Sequence, residues 1–157
     1  MTIYIGADHA GFALKQELKE WLVHEGYDVQ DMGAYKLNSD DDYPDFAAAV
    51  GHGVVQHKDS VGIVVCGSAE GVCIAANKVK GIRAVTPRSM KAAELSRAHN
   101  NANVLCLAGG HTKTPVPEIA MSPEWAQELI KVWLATPFSG EARHVRRLEK
   151  IKKLEQD

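Results

Sequence analysis

Along most of the chain, short apolar runs alternate with longer segments in which apolar residues recur at the spacing of a helix face. The short runs predict buried strands and the longer segments predict amphipathic helices. Strands are predicted at residues 2 to 6, 27 to 32, 62 to 66, 82 to 85 and 104 to 108. Helices are predicted from Phe12 to a stop at Gly26, and at about 45–57, 71–80, 88–98, 123–135 and 141–155.

This alternation favours an α/β fold in which helices cover both faces of a parallel sheet. At 157 residues the chain is expected to form one domain, residues 1–157, with its own core. In such sheets, ligands bind beyond the carboxyl ends of the strands. The polar positions that the pattern places there are Asp8, His9, Cys66, Gly67, Ser68 and the segment after Val85.

The third predicted strand carries the strongest chemical signal, because it ends in Cys66 and then enters a loop that contains Gly67 and Gly71. Backbone N–H groups at a helix start can hold an anion or an oxyanion, and the helix dipole favours a thiolate there. A free cysteine also packs as a small hydrophobe, so a structural Cys66 is the alternative. As a base, Cys66 needs either a lowered pKa or a small ionised fraction that does the work.

The first predicted strand leads into Gly6-Ala7-Asp8-His9-Ala10-Gly11. Asp8 can cap the following helix, with His9 on the surface. The alternative is that Asp8 bonds a hydroxyl-rich ligand and His9 meets an anion. A GxGxxG pattern is missing from this turn, and the chain has no P-loop sequence, so nucleotide-dependent redox chemistry is not predicted.

Two polar clusters follow later in the chain. His99 precedes three asparagines near the end of the fourth predicted helix. A histidine there can be a simple helix cap, whereas the asparagines suit both turns and ligand contacts. Arg143 and Arg147 lie four residues apart and therefore share a helix face that can clamp a phosphate. A solvated basic face is the alternative.

Composition narrows the function classes. The net charge of −2 gives no basic excess of the kind expected for binding nucleic acid or a membrane surface. No apolar run approaches the ~20 residues of a membrane span, and no signal peptide is evident. Cys73 and Cys106 are expected in the core, and the cysteines do not suggest disulfides. We therefore expect a cytoplasmic protein without a metal or another cofactor.

Taken together, these segments resemble the type B ribose-5-phosphate isomerases and their relatives, the allose- and galactose-6-phosphate isomerases. The matching segments are GADHAG at the start, the strand ending in Cys-Gly-Ser, IAANK at 74–78, GIRA at 81–84, HNNANVL at 99–105 and the Arg-His-x-x-Arg that begins at Arg143. Tyr43-Pro44-Asp45 matches the active-site loop of the family. The resemblance covers nearly the whole chain in order.

The resemblance implies a homodimer of Rossmann-like three-layer αβα subunits, each with a five-stranded parallel sheet and an added C-terminal helix. Pairing of dimers into tetramers stays open. Active sites at the subunit interface would interconvert an aldose phosphate and a ketose phosphate without a metal. Cys66 would move a proton between C1 and C2 through a cis-enediol, and His99 of the partner subunit would open the sugar ring.

The resemblance also implies roles for the residues that hold the substrate. Backbone amides of one loop would hold the enediolate oxygen, where charge develops in the reaction; the loop consists of Gly67, Ser68, Ala69, Glu70 and Gly71. The other substrate-binding residues would be Asp8 and Asn100 on sugar oxygens, His9, Arg143 and Arg147 on the phosphate, and Tyr43 in the active-site loop.

The chain departs from the family pattern at several positions. Ala69 stands where a glycine would permit a positive φ, and Glu70 brings a negative charge toward an anionic intermediate. Family members without the cysteine use a glutamate at the position of Val72, which leaves Cys66 as the candidate base and Glu70 as a substitute. The family often has an arginine where Gly110 stands, and the 111–123 segment is longer than usual. His111 and Lys113 are the candidates to replace that arginine.

The main hypothesis is an isomerase that interconverts ribose 5-phosphate and ribulose 5-phosphate in the pentose phosphate pathway. One alternative is a six-carbon sugar-phosphate isomerase acting on allose 6-phosphate or galactose 6-phosphate. A second alternative is a sugar-phosphate-binding homologue with impaired catalysis, which Ala69, Glu70 and Gly110 motivate.

Overall fold

A computed structural model describes residues 1–110 and 119–156 and confirms an α/β sandwich built on a parallel sheet. The strands are β1 (Thr2–Ala7), β2 (Asp28–Asp31), β3 (Ser60–Cys66), β4 (Ala84–Val85) and β5 (Val104–Ala108), in the spatial order β2-β1-β3-β5-β4. The helices are α1 (Phe12–His24), α2 (Tyr43–Gln56), α3 (Glu70–Ala76), α4 (Met90–Asn100), α5 (Pro123–Ala135) and α6 (Ala142–Leu154). Every strand pair in the described residues is parallel.

Alternation along the central strands divides the core into two layers. Ile3 and Ile5 of β1 point to the face covered by α1 and α5, where Leu18 and Trp133 are fully buried. Tyr4 points to the opposite face, which α2 and α3 cover. Each fully buried large aliphatic side chain contributes roughly 1.5–3 kcal/mol relative to exposure, so the two layers together fix the strands of the sheet.

Several element ends differ from the prediction. Helix α3 ends at Ala76, not near residue 80, because the N–H groups of Lys78 and Val79 bond carbonyls three residues back in tight turns. Strand β4 is short because only Ala84 and Val85 pair with β5. Helix α4 starts later than predicted, where the hydroxyl of Ser89 accepts the N–H of Ala92 as an N-cap.

Helix α6 is the predicted C-terminal addition, and it packs beside the end of α4. The backbone N–H of Ser139 donates to the carbonyl of Ala98 at 3.0 Å just before the helix begins. Near its far end, the Glu155 carboxylate accepts the N–H of Gly81 at 2.9 Å. These two contacts attach both ends of α6 to the body of the protein.

Candidate active site

A cavity of about 240 Å³ lies beyond the carboxyl ends of β1 and β3. Its lining consists of Asp8, His9, Ala10, Tyr43, Cys66, Gly67, Ser68 and Gly71. The structure therefore brings together seven of the residues that the sequence analysis singled out. This is the sheet edge at which ligands are expected in parallel α/β folds.

Two glycines allow the walls of the cavity to meet. A Cβ at Gly11 would lie 2.5 Å from the backbone carbonyl of Val65, so only glycine lets the first loop rest on the end of β3. A Cβ at Gly71 would lie 2.8 Å from the ring of Tyr43. The start of α3 and the start of α2 therefore contact each other through a glycine and a tyrosine ring, which closes one side of the cavity.

Cys66 is the last residue of β3, and only 5% of its surface is exposed. Burial raises the pKa of its thiol, while the backbone N–H groups of Val72, Ser68 and Ala69 oppose that rise and the charge of Asp8 adds to it. The helix start therefore does not bring the pKa below its ordinary value. Of the two alternatives above, a raised pKa favours a thiol that works from a small ionised fraction.

Asp8 lies at the cavity and bonds the turn before α1, but it is not the helix cap that the sequence offered as one alternative, because the N-cap of α1 is Gly11 without a side-chain cap hydrogen bond. Its carboxylate accepts the N–H of Gly11 at 2.9 Å just before α1, and it also lines the cavity. Burial raises the pKa of Asp8, and the hydrogen bond from Gly11 and the charge of His9 partly oppose this. A buried carboxyl group beside a thiol can accept a hydrogen bond from a sugar hydroxyl.

His9 is held from the opposite side by Asp41, a residue that the sequence analysis did not select. One carboxylate oxygen of Asp41 lies 2.9 Å from the backbone nitrogen and 2.7 Å from the ring Nδ1 of His9. The Asp41 side chain is only 9% exposed. Its position two residues before Tyr43, in the polar loop ahead of α2, was the sequence signal that could have identified it.

The loop between β3 and α3 has the backbone that the sequence analysis expected. Ala69 is fully buried and adopts φ +71°, a conformation that usually requires glycine. Glu70 opens α3, and neither Ala69 nor Glu70 is among the described residues that line the cavity. The exposed Glu70 carboxylate pairs with Arg88 at 2.8 Å. Arg88 belongs to the segment after Val85, which the sequence analysis placed at this sheet edge, and it reaches the loop from just beyond the carboxyl end of β4.

The remaining predicted residues lie together, but elsewhere. His99 and Asn100 occupy the last turn of α4, and Arg143 and Arg147 lie on the first turns of α6. The ring of His99 stacks on that of His144, with centroids 4.2 Å apart. Burial and the nearby charge of His99 lower the pKa of His144, and its Nδ1 lies 2.8 Å from the hydroxyl of Ser139.

This second cluster and Cys66 are at opposite edges of the sheet. In the parallel register Gly62 pairs with Val104 and Cys66 pairs with Ala108, so β3 and β5 start at the same edge. Helix α4 ends just before β5 begins, which puts His99 at the amino edge. The seven residues of β3 span roughly 20 Å. Within one chain, His99 and Cys66 therefore lie at opposite edges of the sheet.

One expectation, about two residues of the 111–123 segment, remains untested, whereas the positions of the cysteines agree with another. His111 and Lys113, the candidates to replace an arginine, lie outside the described residues. Cys106 is buried and Cys73 is partly buried, as expected of core cysteines, and all three cysteines are free thiols. Among the described residues, no group of three potential metal ligands comes together, and no helix is long and apolar enough to cross a bilayer.

Comparison with known proteins agrees with this architecture. The sequence profile of the family described as Ribose/Galactose Isomerase matches residues 3–151. The chain belongs to that family. It is 40% identical over 149 residues to ribose-5-phosphate isomerase B of Mycolicibacterium paratuberculosis, an alignment that covers 95% of this chain and 88% of the relative.

Solved structures of this isomerase family superpose along the whole chain. Ribose-5-phosphate isomerase B of Clostridium thermocellum has a TM-score of 0.88 and 39% identity, with 99% of this chain and 98% of that chain covered. The enzyme of Mycoplasma genitalium, solved with bound ribulose-5-phosphate, has a TM-score of 0.88 and 38% identity, with 99% and 97% covered. The fold predicted from the sequence is thus the family fold.

Proposed function

We propose that the protein is a ribose-5-phosphate isomerase that interconverts ribose 5-phosphate and ribulose 5-phosphate. The observation that carries this function is the Cys66 thiol at the cavity, with the N–H groups of Ser68, Ala69 and Val72 directed at it and Asp8 nearby. A base beside an array of backbone donors is what enediolate chemistry needs. The Mycoplasma genitalium relative binds ribulose-5-phosphate, which supports a five-carbon substrate here.

In the proposed reaction, the Cys66 thiolate removes the proton from C2 of the open-chain aldose. The C2 electron pair forms the C1–C2 double bond of a cis-enediol, and the negative charge moves to O1. The amide N–H groups of the 67–71 loop stabilise that oxygen, which takes up the proton released from the C2 hydroxyl. Cys66 then returns its proton to C1, which yields the ketose and restores the thiolate.

The substrate sits, in this proposal, between Asp8 and Tyr43 on one wall and the amide loop on the other. Asp8 accepts hydrogen bonds from sugar hydroxyls. His9 faces the phosphate from the same side, where Asp41 fixes the direction of its ring. The opening of the cyclic sugar and the rest of the phosphate contacts then need an acid and cations from outside this cavity.

A second copy of the chain can supply those groups. His99, Asn100, Arg143 and Arg147 lie at the amino edge of the sheet, away from Cys66 of the same chain. We therefore propose a homodimer in which the amino-edge cluster of each subunit completes the cavity of the other. His99 acts as the ring-opening acid, Asn100 bonds a sugar oxygen and the two arginines bind the phosphate. The free thiols fit a reducing compartment, in agreement with a cytoplasmic enzyme.

The test is direct conversion of ribose 5-phosphate to ribulose 5-phosphate by the purified protein. Cys66→Ala is expected to lower kcat about 10²–10⁴-fold, the usual contribution of a positioned acid–base group. Cys73→Ala is the matched control, because Cys73 lies on α3 and is not one of the described residues that line the cavity. Cys66→Ala with full activity would rule out this base. Substrate binding without turnover would favour a binding homologue, and faster turnover of allose 6-phosphate would favour a six-carbon isomerase.

A further inference from the structure

The loop that faces Cys66 contains a charge that works against the proposed reaction. Glu70 begins α3 directly beside the backbone N–H groups that would stabilise an anion. A carboxylate near a developing negative charge raises the energy of the intermediate and disfavours the thiolate. Asp8, also negative when ionised, faces the thiol from the first loop. A cation placed next to Glu70 offsets that charge.

Arg88 supplies that cation and also contacts the backbone of the loop. Its Nη2 lies 2.8 Å from a carboxylate oxygen of Glu70 and donates to the carbonyl oxygen of Ser68 at 3.2 Å. Arg88 lies just beyond β4, at the same edge of the sheet as Cys66. A single side chain thus bridges the acidic group and the main chain of the loop.

The contact with Ser68 has a consequence for the neighbouring amide. In a trans peptide, the carbonyl and the N–H point in opposite directions. When Arg88 holds the Ser68 carbonyl on the outer side, the N–H of Ala69 is directed inward, toward the Cys66 sulfur. The backbone preference of Ala69 does not stabilise this orientation of the peptide, because a φ of +71° is unfavourable for a residue with a Cβ.

We propose that Arg88 is a positioning residue of the isomerase site: it neutralises Glu70 and holds the Ser68–Ala69 peptide with its N–H toward Cys66. This inference rests on the proposed function, since it concerns the same loop. Arg88 and Glu70 are both largely exposed, so their ion pair contributes little to folding. Its effect is on the electrostatics of the thiol and of the anion beside it.

The test measures the Cys66 thiolate by its rate of alkylation with iodoacetamide, read by mass spectrometry on the peptide that contains Cys66. Arg88→Gln is expected to slow this alkylation about three- to tenfold at fixed pH, as expected for a partly screened charge. Glu70→Gln should match or exceed the wild-type rate. The double variant Glu70→Gln with Arg88→Gln should fall between wild type and Arg88→Gln, because the harmful carboxylate is gone while the backbone contact is still missing.

Matched controls separate this effect from loss of structure. Lys91→Gln removes a cation three residues further along, where Lys91 pairs with Glu94 on the surface of α4, and should alkylate at the wild-type rate. Arg88→Lys keeps the charge but loses the planar fork, so it should be intermediate. The thermal midpoint of Arg88→Gln should stay within about 2 °C of wild type.

Kinetics provide the second measurement. Arg88→Gln should lower kcat for ribose 5-phosphate by a similar three- to tenfold factor with little change in KM, since the phosphate contacts are elsewhere. An Arg88→Gln protein that alkylates at the wild-type rate overturns the proposal, as does a double variant no faster than Arg88→Gln. The alkylation result is independent of turnover. Failure of the isomerase assay alone would therefore count against the proposed function and not against the role of Arg88.

Discussion

A single carboxylate oxygen of Asp41 accepts hydrogen bonds from both the backbone N–H and the ring of His9, at 2.9 and 2.7 Å. Because a carboxylate oxygen only accepts, the ring nitrogen Nδ1 carries the proton in this pair. The two bonds fix the main chain and the ring direction of His9 together. The histidine that we propose to bind the phosphate is thereby oriented by a residue 32 positions further along the chain.

Asp41→Ala should therefore weaken substrate binding. A hydrogen bond to a charged group contributes about 1.5–3 kcal/mol, so KM for ribose 5-phosphate should rise about tenfold or more. Because Asp41 does not touch the base, kcat should change less than about threefold. Steady-state kinetics measure both, with the exposed neighbour Asp40→Ala as the control. A fall in kcat at unchanged KM would contradict this role.

The pH dependence of the reaction follows from the burial of Cys66. Burial raises the pKa of this thiol, and the backbone N–H groups only partly oppose it, so the protonated form predominates at neutral pH. In the proposed reaction the thiolate is the active form, and its fraction grows with pH. We expect kcat/KM to rise about tenfold between pH 7 and pH 8, and to keep rising past the ordinary thiol pKa of about 8.5.

Rate measurements from pH 6.5 to 9.5 test this expectation, together with the alkylation rate of Cys66 over the same range. The two profiles should rise in parallel. A rate that is already at its plateau at pH 7 would indicate a thiol with a lowered pKa, or a different base.

The part of this site around Asp8 and Cys66 could be predicted from the sequence, because it depends on local pattern. An apolar run that ends in Cys66 and another that ends before Asp8 place both residues at one sheet edge in any parallel α/β arrangement. The positive φ of Ala69, in contrast, was foreseeable only from the family resemblance, in which a glycine is usual at this position.

Asp41 and Arg88 lie in or beside segments that the sequence pattern singles out, but their contacts could not be predicted in this way. Their partners are 32 and 18 residues away along the chain, and only the packing of the loops brings them together. Helix ends were also hard to predict, because the stop of α3 at Ala76 depends on tight turns that leave no hydrophobic signature. The opposite-edge position of His99 follows from its place at the end of α4, just before β5, in a parallel sheet, but its contact with His144 of α6 depends on packing that the sequence does not specify.

The loop before α2 depends on a buried cation, which gives a prediction about stability. The Lys15 side chain is fully buried and donates to Asp31 at 2.8 Å and to the carbonyl of Ala34 at 2.7 Å. Lys15→Met leaves Asp31 paired with Lys19 but removes the ammonium from one Asp31 oxygen and from the buried Ala34 carbonyl, so it should lower the free energy of unfolding by about 1–3 kcal/mol. Lys19→Met, at the half-exposed second partner of Asp31, should cost less than about 1 kcal/mol.

Urea unfolding followed by circular dichroism compares the two variants. The direction in which the stability from the Asp31 ion pairs changes with pH follows from the pKa of Asp31. Burial pushes the pKa of Asp31 upward, but the hydrogen bonds from Lys15 and Lys19 outweigh it, so the folded-state pKa is lowered. This stabilisation is present above the unfolded value of about 3.9 and is lost as pH falls below it. Equal losses in Lys15→Met and Lys19→Met would contradict a special role for the buried lysine.

The separation of Cys66 and His99 gives a test of the shared site. If each cavity combines Cys66 of one chain with His99 of its partner, a heterodimer of Cys66→Ala and His99→Ala subunits contains one site with both residues intact. Each parental homodimer contains none. Coexpression with two different affinity tags isolates the heterodimer, which should have about half of the wild-type activity per dimer, as the two-fold symmetry of such an assembly requires.

A heterodimer of Cys66→Ala and Cys66→Ser is the matched control, because both of its sites lack the thiol and its activity should stay at the parental level. If the first heterodimer is no more active than its parents, the two residues do not act in a site shared between chains. The parallel pairing puts the carboxyl end of β3, with Cys66, and the amino end of β5, beside His99, at opposite edges of the sheet. His99 would then have no role at the Cys66 cavity, and the ring-opening acid would have to come from the carboxyl edge itself, where Asp8 and His9 are the candidates.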